Sequence, residues 1–154
     1  MIQGASRLQG LVSVGFCGTM VSPMTIADSK CLRIFVVEND EDTLEYFRMY
    51  LESSGHQVWE ARTVAEAIEK ISESECDVLI CDVDLTDGTG WELLQRLRES
   101  RLPHPPFAIA MSGFGMNTDR LRSAAAGFRH HLLKPIDVDD LDELLSEAGQ
   151  ELAV

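Results

Sequence analysis

From Leu32 onward, short apolar runs alternate with stretches in which apolar residues recur every third or fourth position. A short unbroken apolar run bounded by polar residues reads as a buried strand, and the wider spacing reads as one face of a helix. Leu32–Val37 (LRIFVV) is thus expected to be a strand. Asp42 to Ser53 then forms a helix with Leu44, Phe47 and Leu51 on one face, stopped by Gly55. Gln57–Ala61 is a second, short strand. Thr63 can cap the next helix, with Glu66 three residues on completing a capping box, and Val64, Ala67, Ile68 and Ile71 form its apolar stripe. Asp77–Cys81 (DVLIC) is a third strand. Thr89 to Ser100 is a helix with Leu94 and Leu97 inward, and Phe107–Met111 (FAIAM) is a fourth strand. Asn117–Ala126 is a short helix ending at Gly127, and His130–Leu133 is a fifth strand. Asp137 to Ala148 closes the pattern as a helix, with Val138, Leu141, Leu144, Leu145 and Ala148 on one side.

Five strands, each followed by a helix, predict an α/β fold: a doubly wound parallel sheet with helices on both faces and right-handed crossovers. In such sheets a ligand sits at the carboxyl ends of the strands, beside the point where strand order reverses. Residues 31–150 hold the whole pattern and are expected to form one domain. Residues 151–154 read as a short C-terminal tail, and residues 1–30 as a flexible tail or an over-extended start. Within residues 1–30, Leu11–Val21 (LVSVGFCGTMV) is the most apolar stretch. It is too short and too interrupted to span a bilayer, and a single preceding basic residue, Arg7, gives little support for a signal peptide.

Charge narrows the partners. The 154 residues carry 13 Lys and Arg against 26 Asp and Glu, a formal net charge of −13. Such a balance argues against nucleic acid and anionic membranes, which are held by Lys/Arg counter-charge. It leaves room for a protein partner with a basic patch. The four cysteines, Cys17, Cys31, Cys76 and Cys81, have no His at metal-ligand spacing and read as reduced thiols of a cytoplasmic protein. Trp59 and Trp91 read as packing residues. His130 and His131 cannot form a metal pair, because neighbours on a strand face opposite ways.

The predicted strand ends carry Glu38-Asn39-Asp40 after the first strand, Asp82 after the third, Ser112 after the fourth and Lys134-Pro135 after the fifth. Two acids, a hydroxyl and an amine would therefore meet on one edge of the sheet. That set suits phosphoryl transfer to a carboxylate, with Asp82 as the nucleophile. Two carboxylates about 4 Å apart repel by roughly 4 kcal/mol at an effective dielectric of 20. A divalent cation turns this repulsion into a binding site, and Mg²⁺ commonly takes one or two carboxylates together with phosphate oxygens. Lys134 would neutralise a phosphoryl oxygen and Ser112 would donate to another. Positioning and charge neutralisation are nearly all that a loose transition state requires.

The segments VVENDEDTLEYFRMYLESSGHQV, DVLICDVDLTDGTGWELLQRLR, FAIAMSGFG and HLLKPID resemble successive parts of the receiver domains of two-component response regulators, over about Leu32 to Ala148. The resemblance implies the CheY-like, flavodoxin-like strand order 2-1-3-4-5. It implies Asp82 as phosphoacceptor, Glu38 as a metal-site acid, the backbone carbonyl of Asp84 as a further Mg²⁺ ligand, Ser112 as the hydroxyl that follows the phosphoryl group and Lys134 as its ion pair. It makes the bond before Pro135 a candidate cis peptide. It implies a histidine kinase or histidine phosphotransfer protein as donor. The output surface would be the fourth helix, fifth strand and fifth helix, and a homodimer stays open.

Three positions depart from the family pattern. Asn39 stands where a second acid is usual, so it is expected to be a weak metal ligand, with Asp40 able to substitute only by turning inward. Thr86 replaces a proline and should loosen the loop after Asp82. His131 replaces the usual aromatic at the switch position, where it would gate the surface beside Ser112 and respond to partner acids or pH. Phe114 would flank the phosphoryl pocket.

The expected role is a signalling switch rather than an enzyme. Few residues follow the last helix, so the output is a contact with another protein, or the chain is part of a longer regulator or hybrid kinase. Two other readings compete. Asn39 supports a degenerate receiver that binds partners without phosphorylation. VLICDVDLT also resembles the opening motif of haloacid-dehalogenase-like phosphatases, with Asp84 as general acid. That reading leaves Glu38 without a role, and Asp137, Asp139 and Asp140 open a helix instead of following a further strand.

Overall fold

A computed structural model describes residues 31–113 and 117–152 of the chain. Cys17, the Leu11–Val21 stretch and Phe114 lie outside the described residues. The elements run β1 (Arg33–Val37), α1 (Glu41–Ser53), β2 (Gln57–Ala61), α2 (Val64–Glu73), β3 (Val78–Asp82), β4 (Asp84–Leu85), β5 (Gly88–Thr89), α3 (Gly90–Glu99), β6 (Phe107–Ser112), α4 (Asn117–Ala126), β7 (His130–Leu133) and α5 (Val138–Leu152).

Five strands pair in parallel in the order β2-β1-β3-β6-β7. With the two-residue β4 and β5 set aside, that is the expected 2-1-3-4-5 order. The centre of the sheet is dry because every residue of β3 and β6 is buried. Alternate side chains feed two cores. Val78, Ile80, Ile109 and Met111 meet Leu44, Phe47 and Leu51 of α1 and Leu141, Leu145 and Ala148 of α5. Leu79, Cys81, Ala108 and Ala110 meet Ala67 and Ile71 of α2 and Leu93, Leu94 and Leu97 of α3. Each large side chain removed from water in this way contributes about 1.5–3 kcal/mol.

Helix starts are fixed by side chains that accept orphan N–H groups. Asp40 caps α1 by accepting from the Thr43 N–H at 3.0 Å, and Thr89 caps α3 by accepting from the Glu92 N–H. Thr63 accepts from the Glu66 N–H, while the Glu66 carboxylate reaches back to the N–H of Arg62, one residue before the cap. A second acceptor reaches α2 from outside: Asp87, in the β4–β5 turn, takes the Val64 and Ala65 N–H groups at 2.8 and 3.1 Å. Gly55 and Gly127, just past α1 and α4, adopt φ of 94° and 110°.

Two features add to the expected pattern. The antiparallel β4–β5 hairpin was not legible as strands, because two-residue strands show no alternation. The last helix continues to Leu152, into the expected C-terminal tail, where Arg129 pairs with Glu151 at 2.5 Å.

Candidate functional site

The strand order reverses between β1, which runs outward to β2, and β3, which runs outward to β6. At that edge Glu38 follows β1 and Asp82 ends β3. Both are acids, and they are 1% and 5% exposed. Buried carboxylates need partners. The Lys134 ammonium, arriving from the end of β7, bonds Asp82 Oδ2 at 2.6 Å and Glu38 Oε1 as well. The remaining oxygens accept from main chain: Glu38 Oε2 from the Asp40 N–H at 3.1 Å, and Asp82 Oδ1 from the Asp84 N–H at 2.9 Å. Lys134 is placed by its own backbone, whose N–H donates to the Ser112 carbonyl at 2.8 Å, and the Lys134–Pro135 peptide is cis.

Electrostatics follow from this burial. The Glu38 carboxyl is raised above its ordinary range, first by desolvation, with Asp82 adding to the rise and the Lys134 hydrogen bond opposing it. Burial works against charge on Lys134, but its bonds to Asp82 and Glu38 outweigh that and raise its pKa. Two carboxylates against one ammonium leave a net negative site.

That donor set fits Mg²⁺. Among the described residues no group of three or more His, Cys, Asp and Glu side chains gathers as a metal site. Mg²⁺ asks for less, taking one or two carboxylates and completing its shell with water and phosphate oxygens. Glu38 and Asp82 would supply the carboxylates and Asp84, which opens β4 two residues past Asp82, the backbone carbonyl. Asn39 is exposed, and its main-chain carbonyl accepts from Arg62 at 3.2 Å. Asp40 does not turn inward: its carboxylate is committed to the Thr43 N–H and hydroxyl at the start of α1.

Ser112 ends β6 one residue past Met111, the register partner of Asp82, and is 1% exposed. Its Oγ lies 2.7 Å from His131 Nε2, and His131 Nδ1 lies 2.9 Å from the Ser123 hydroxyl of α4. Trp91, in the first turn of α3, donates its indole N–H to the same Ser123 Oγ at 2.8 Å. Trp91 is therefore a hydrogen-bonding residue as well as a packing one, and Ser123 has a place that its sequence position gave no reason to expect. His130, on the opposite face of β7, bonds Glu147 of α5 instead. Trp59 is 36% exposed on the edge strand β2. Cys31, Cys76 and Cys81 are free thiols.

Comparison with known proteins agrees with this fold. Residues 34–146 match the family described as the response regulator receiver domain. The chain is 30% identical to the polar-differentiation response regulator DivK of Brucella ovis over 106 residues, covering 68% of this chain and 85% of that protein. A two-component response regulator from Clostridium difficile superposes with a TM-score of 0.75 at 22% identity, covering 80% of this chain and 99% of that one. The receiver domain of the Saccharomyces cerevisiae response regulator Ssk1, solved with the histidine phosphotransfer protein Ypd1, gives a TM-score of 0.74 at 18% identity, covering 80% and 92%.

Proposed function

The chain belongs to the response regulator receiver family, and from that premise we propose that it accepts a phosphoryl group on Asp82 and switches a protein-binding surface in response. The observation that carries this reading is the Lys134 ammonium held between the buried carboxylates of Asp82 and Glu38. The family is a signalling domain, which sets the phosphatase reading aside.

In the proposed step a carboxylate oxygen of Asp82 attacks phosphorus of a phosphohistidine. The P–N bond breaks as the P–O bond forms, and the histidine leaves with the electron pair. Lys134 turns from the Asp82 carboxylate toward a phosphoryl oxygen, and the Ser112 hydroxyl donates to another. Mg²⁺, held by Glu38, Asp82 and the Asp84 carbonyl, would supply the further neutralisation that the incoming phosphoryl charge requires. The Asp84 N–H already fixes one Asp82 oxygen, so the nucleophile needs little reorientation.

A histidine kinase or histidine phosphotransfer protein is the proposed donor, by analogy with the Ypd1-bound receiver of similar fold. The proposed output surface is α4, β7 and α5, since Ser112 and Lys134 connect directly to β7. A cytoplasmic setting is consistent with the free thiols and with the lack, among the described residues, of a helix long and apolar enough to cross a membrane.

The test is labelling by a phosphohistidine donor or by acetyl phosphate in Mg²⁺. The wild-type chain should take up label and Asp82→Asn none; equal labelling of both would end the proposal. The exposed Asn39 favours one other reading, a receiver that works without phosphorylation. Beryllofluoride with saturating Mg²⁺ separates the two, because an unchanged amide spectrum would leave only the phosphorylation-independent module.

A further inference from the structure

We propose that Trp91 and Ser123 are positioning residues that fix the tautomer of His131, so that Ser112 presents its hydroxyl as a donor to the phosphoryl group; this rests on Asp82 being the acceptor. The argument is one of hydrogen-bond direction. An indole N–H can only donate, so Ser123 Oγ accepts from Trp91. Ser123 is 1% exposed, and its hydroxyl proton needs an acceptor. His131 Nδ1, at 2.9 Å, is that acceptor and must be unprotonated. A neutral imidazole then carries its proton on Nε2, which donates to Ser112 Oγ at 2.7 Å. Ser112 is thereby an acceptor toward His131, so any bond its own hydroxyl proton makes is one of donation, the sense that a phosphoryl oxygen requires.

The chain of donors runs through three elements besides β6: α3, α4 and β7. Its first member is clamped from outside, with the Arg122 guanidinium 3.9 Å over the Trp91 ring. Neutrality of the ring agrees with its surroundings. Burial foremost, and then the charge of Arg120, hold the His131 pKa below its ordinary value against the opposing Asp119. An aromatic carbocycle at position 131 could fill the same space but could not set the direction of the Ser112 hydroxyl.

The test is nitrogen NMR of the histidine-labelled full chain near neutral pH, with His131 assigned by its loss in His131→Gln. The wild-type ring should show the Nε2–H tautomer. Ser123→Ala and Trp91→Phe should each give a mixture of tautomers, and Ser123→Thr, which keeps the hydroxyl, should restore the wild-type pattern. Acetyl phosphate labelling should slow roughly two- to tenfold in Ser123→Ala and Trp91→Phe, the worth of one oriented hydrogen bond, and recover in Ser123→Thr. An Nδ1–H tautomer in the wild type, or a tautomer unchanged in Ser123→Ala while the wild type labels normally, overturns the relay. No label on a wild-type chain that shows the Nε2–H tautomer overturns the phosphoacceptor reading instead.

Discussion

Gly90 opens α3 so close to the main chain of Asp82 that a β-carbon on it would stand 2.6 Å from the Asp82 carbonyl oxygen. It would also meet Cys81 Sγ at 3.1 Å and Val83 Cα at 3.2 Å, so two of the three obstacles are backbone and cannot swing aside. The Gly90 N–H donates to the Val83 carbonyl at 3.0 Å, which holds the helix against the strand end. Gly90→Ala should therefore destabilise the domain by about 1–3 kcal/mol, the range for overpacking a filled interior. Urea unfolding measures it, and a loss below about 0.5 kcal/mol would mean that the two segments separate easily. The displaced Asp82 should also label more slowly than the stability loss alone accounts for.

Lys134 is the cation between two acids, and its removal should be felt electrostatically first. Lys134→Ala leaves Glu38 and Asp82 without their shared ammonium. Breaking a buried pair costs about 3 kcal/mol at the lower end of its range, and the Lys134 side chain, 27% exposed, belongs at that end. Melting in EDTA should show this loss. Added Mg²⁺ should then raise the melting temperature of the variant more than that of the wild type, because a ligand stabilises according to its affinity for the folded state. Equal Mg²⁺ effects on the two proteins would show that the ion does not use this carboxylate pair.

Asp87 ties the β4–β5 hairpin, whose first strand carries the Asp84 carbonyl, to the start of α2. Asp87→Ala should destabilise the domain modestly, as a lost helix cap. It should also weaken Mg²⁺ binding, because the β4–β5 hairpin loses its outer anchor. Asp87→Asn keeps an acceptor oxygen and should lie between the two. Calorimetric Mg²⁺ titration of folded protein checks the second effect separately from the first. An Mg²⁺ affinity unchanged in Asp87→Ala would confine the residue to capping.

The sheet could be read from the chain because β3 and β6 are buried on both faces and so appear as unbroken apolar runs. Their carboxyl ends follow from the same runs, which is why the sequence alone places Glu38, Asp82, Ser112 and Lys134 on one edge. What stayed hidden depends on tertiary packing. Ser123 is one polar residue on a mostly exposed helix, and nothing in its neighbours says that an indole and an imidazole converge on it. Asp87 lies 23 residues from the N–H of Val64 that it accepts. Asp40, expected to reach the metal site only by turning inward, instead caps α1, because its carboxylate finds the Thr43 N–H and hydroxyl within its own turn.

Acid should weaken the fold in a window set by histidines. Burial holds the His56 pKa below its ordinary value, with Asp142 opposing, and its Nδ1 accepts from the Leu32 N–H at 3.1 Å, a bond that only the unprotonated nitrogen can make. His131 is lowered likewise, by burial first and then by Arg120. For both, the unfolded chain binds a proton more readily than the folded one. Their contribution to stability is therefore complete above the unfolded pKa of about 6.5 and is lost as pH falls through the lower, folded values. Each can add a slope of at most about 1.4 kcal/mol per pH unit. The carboxyls of Asp40, Glu66, Asp87 and Glu151, held low by hydrogen bonds, lose their contributions only in the more acidic carboxylate range. Glu38, raised by burial, works in the opposite direction and blunts the trend. Urea unfolding between about pH 7.5 and 5.5 should thus show stability falling with pH, and His56→Gln, which keeps an acceptor for Leu32, should flatten the slope. A wild-type stability that rises over this interval, or a slope that survives in His56→Gln and His131→Gln together, would show that neither ring is held neutral by the fold.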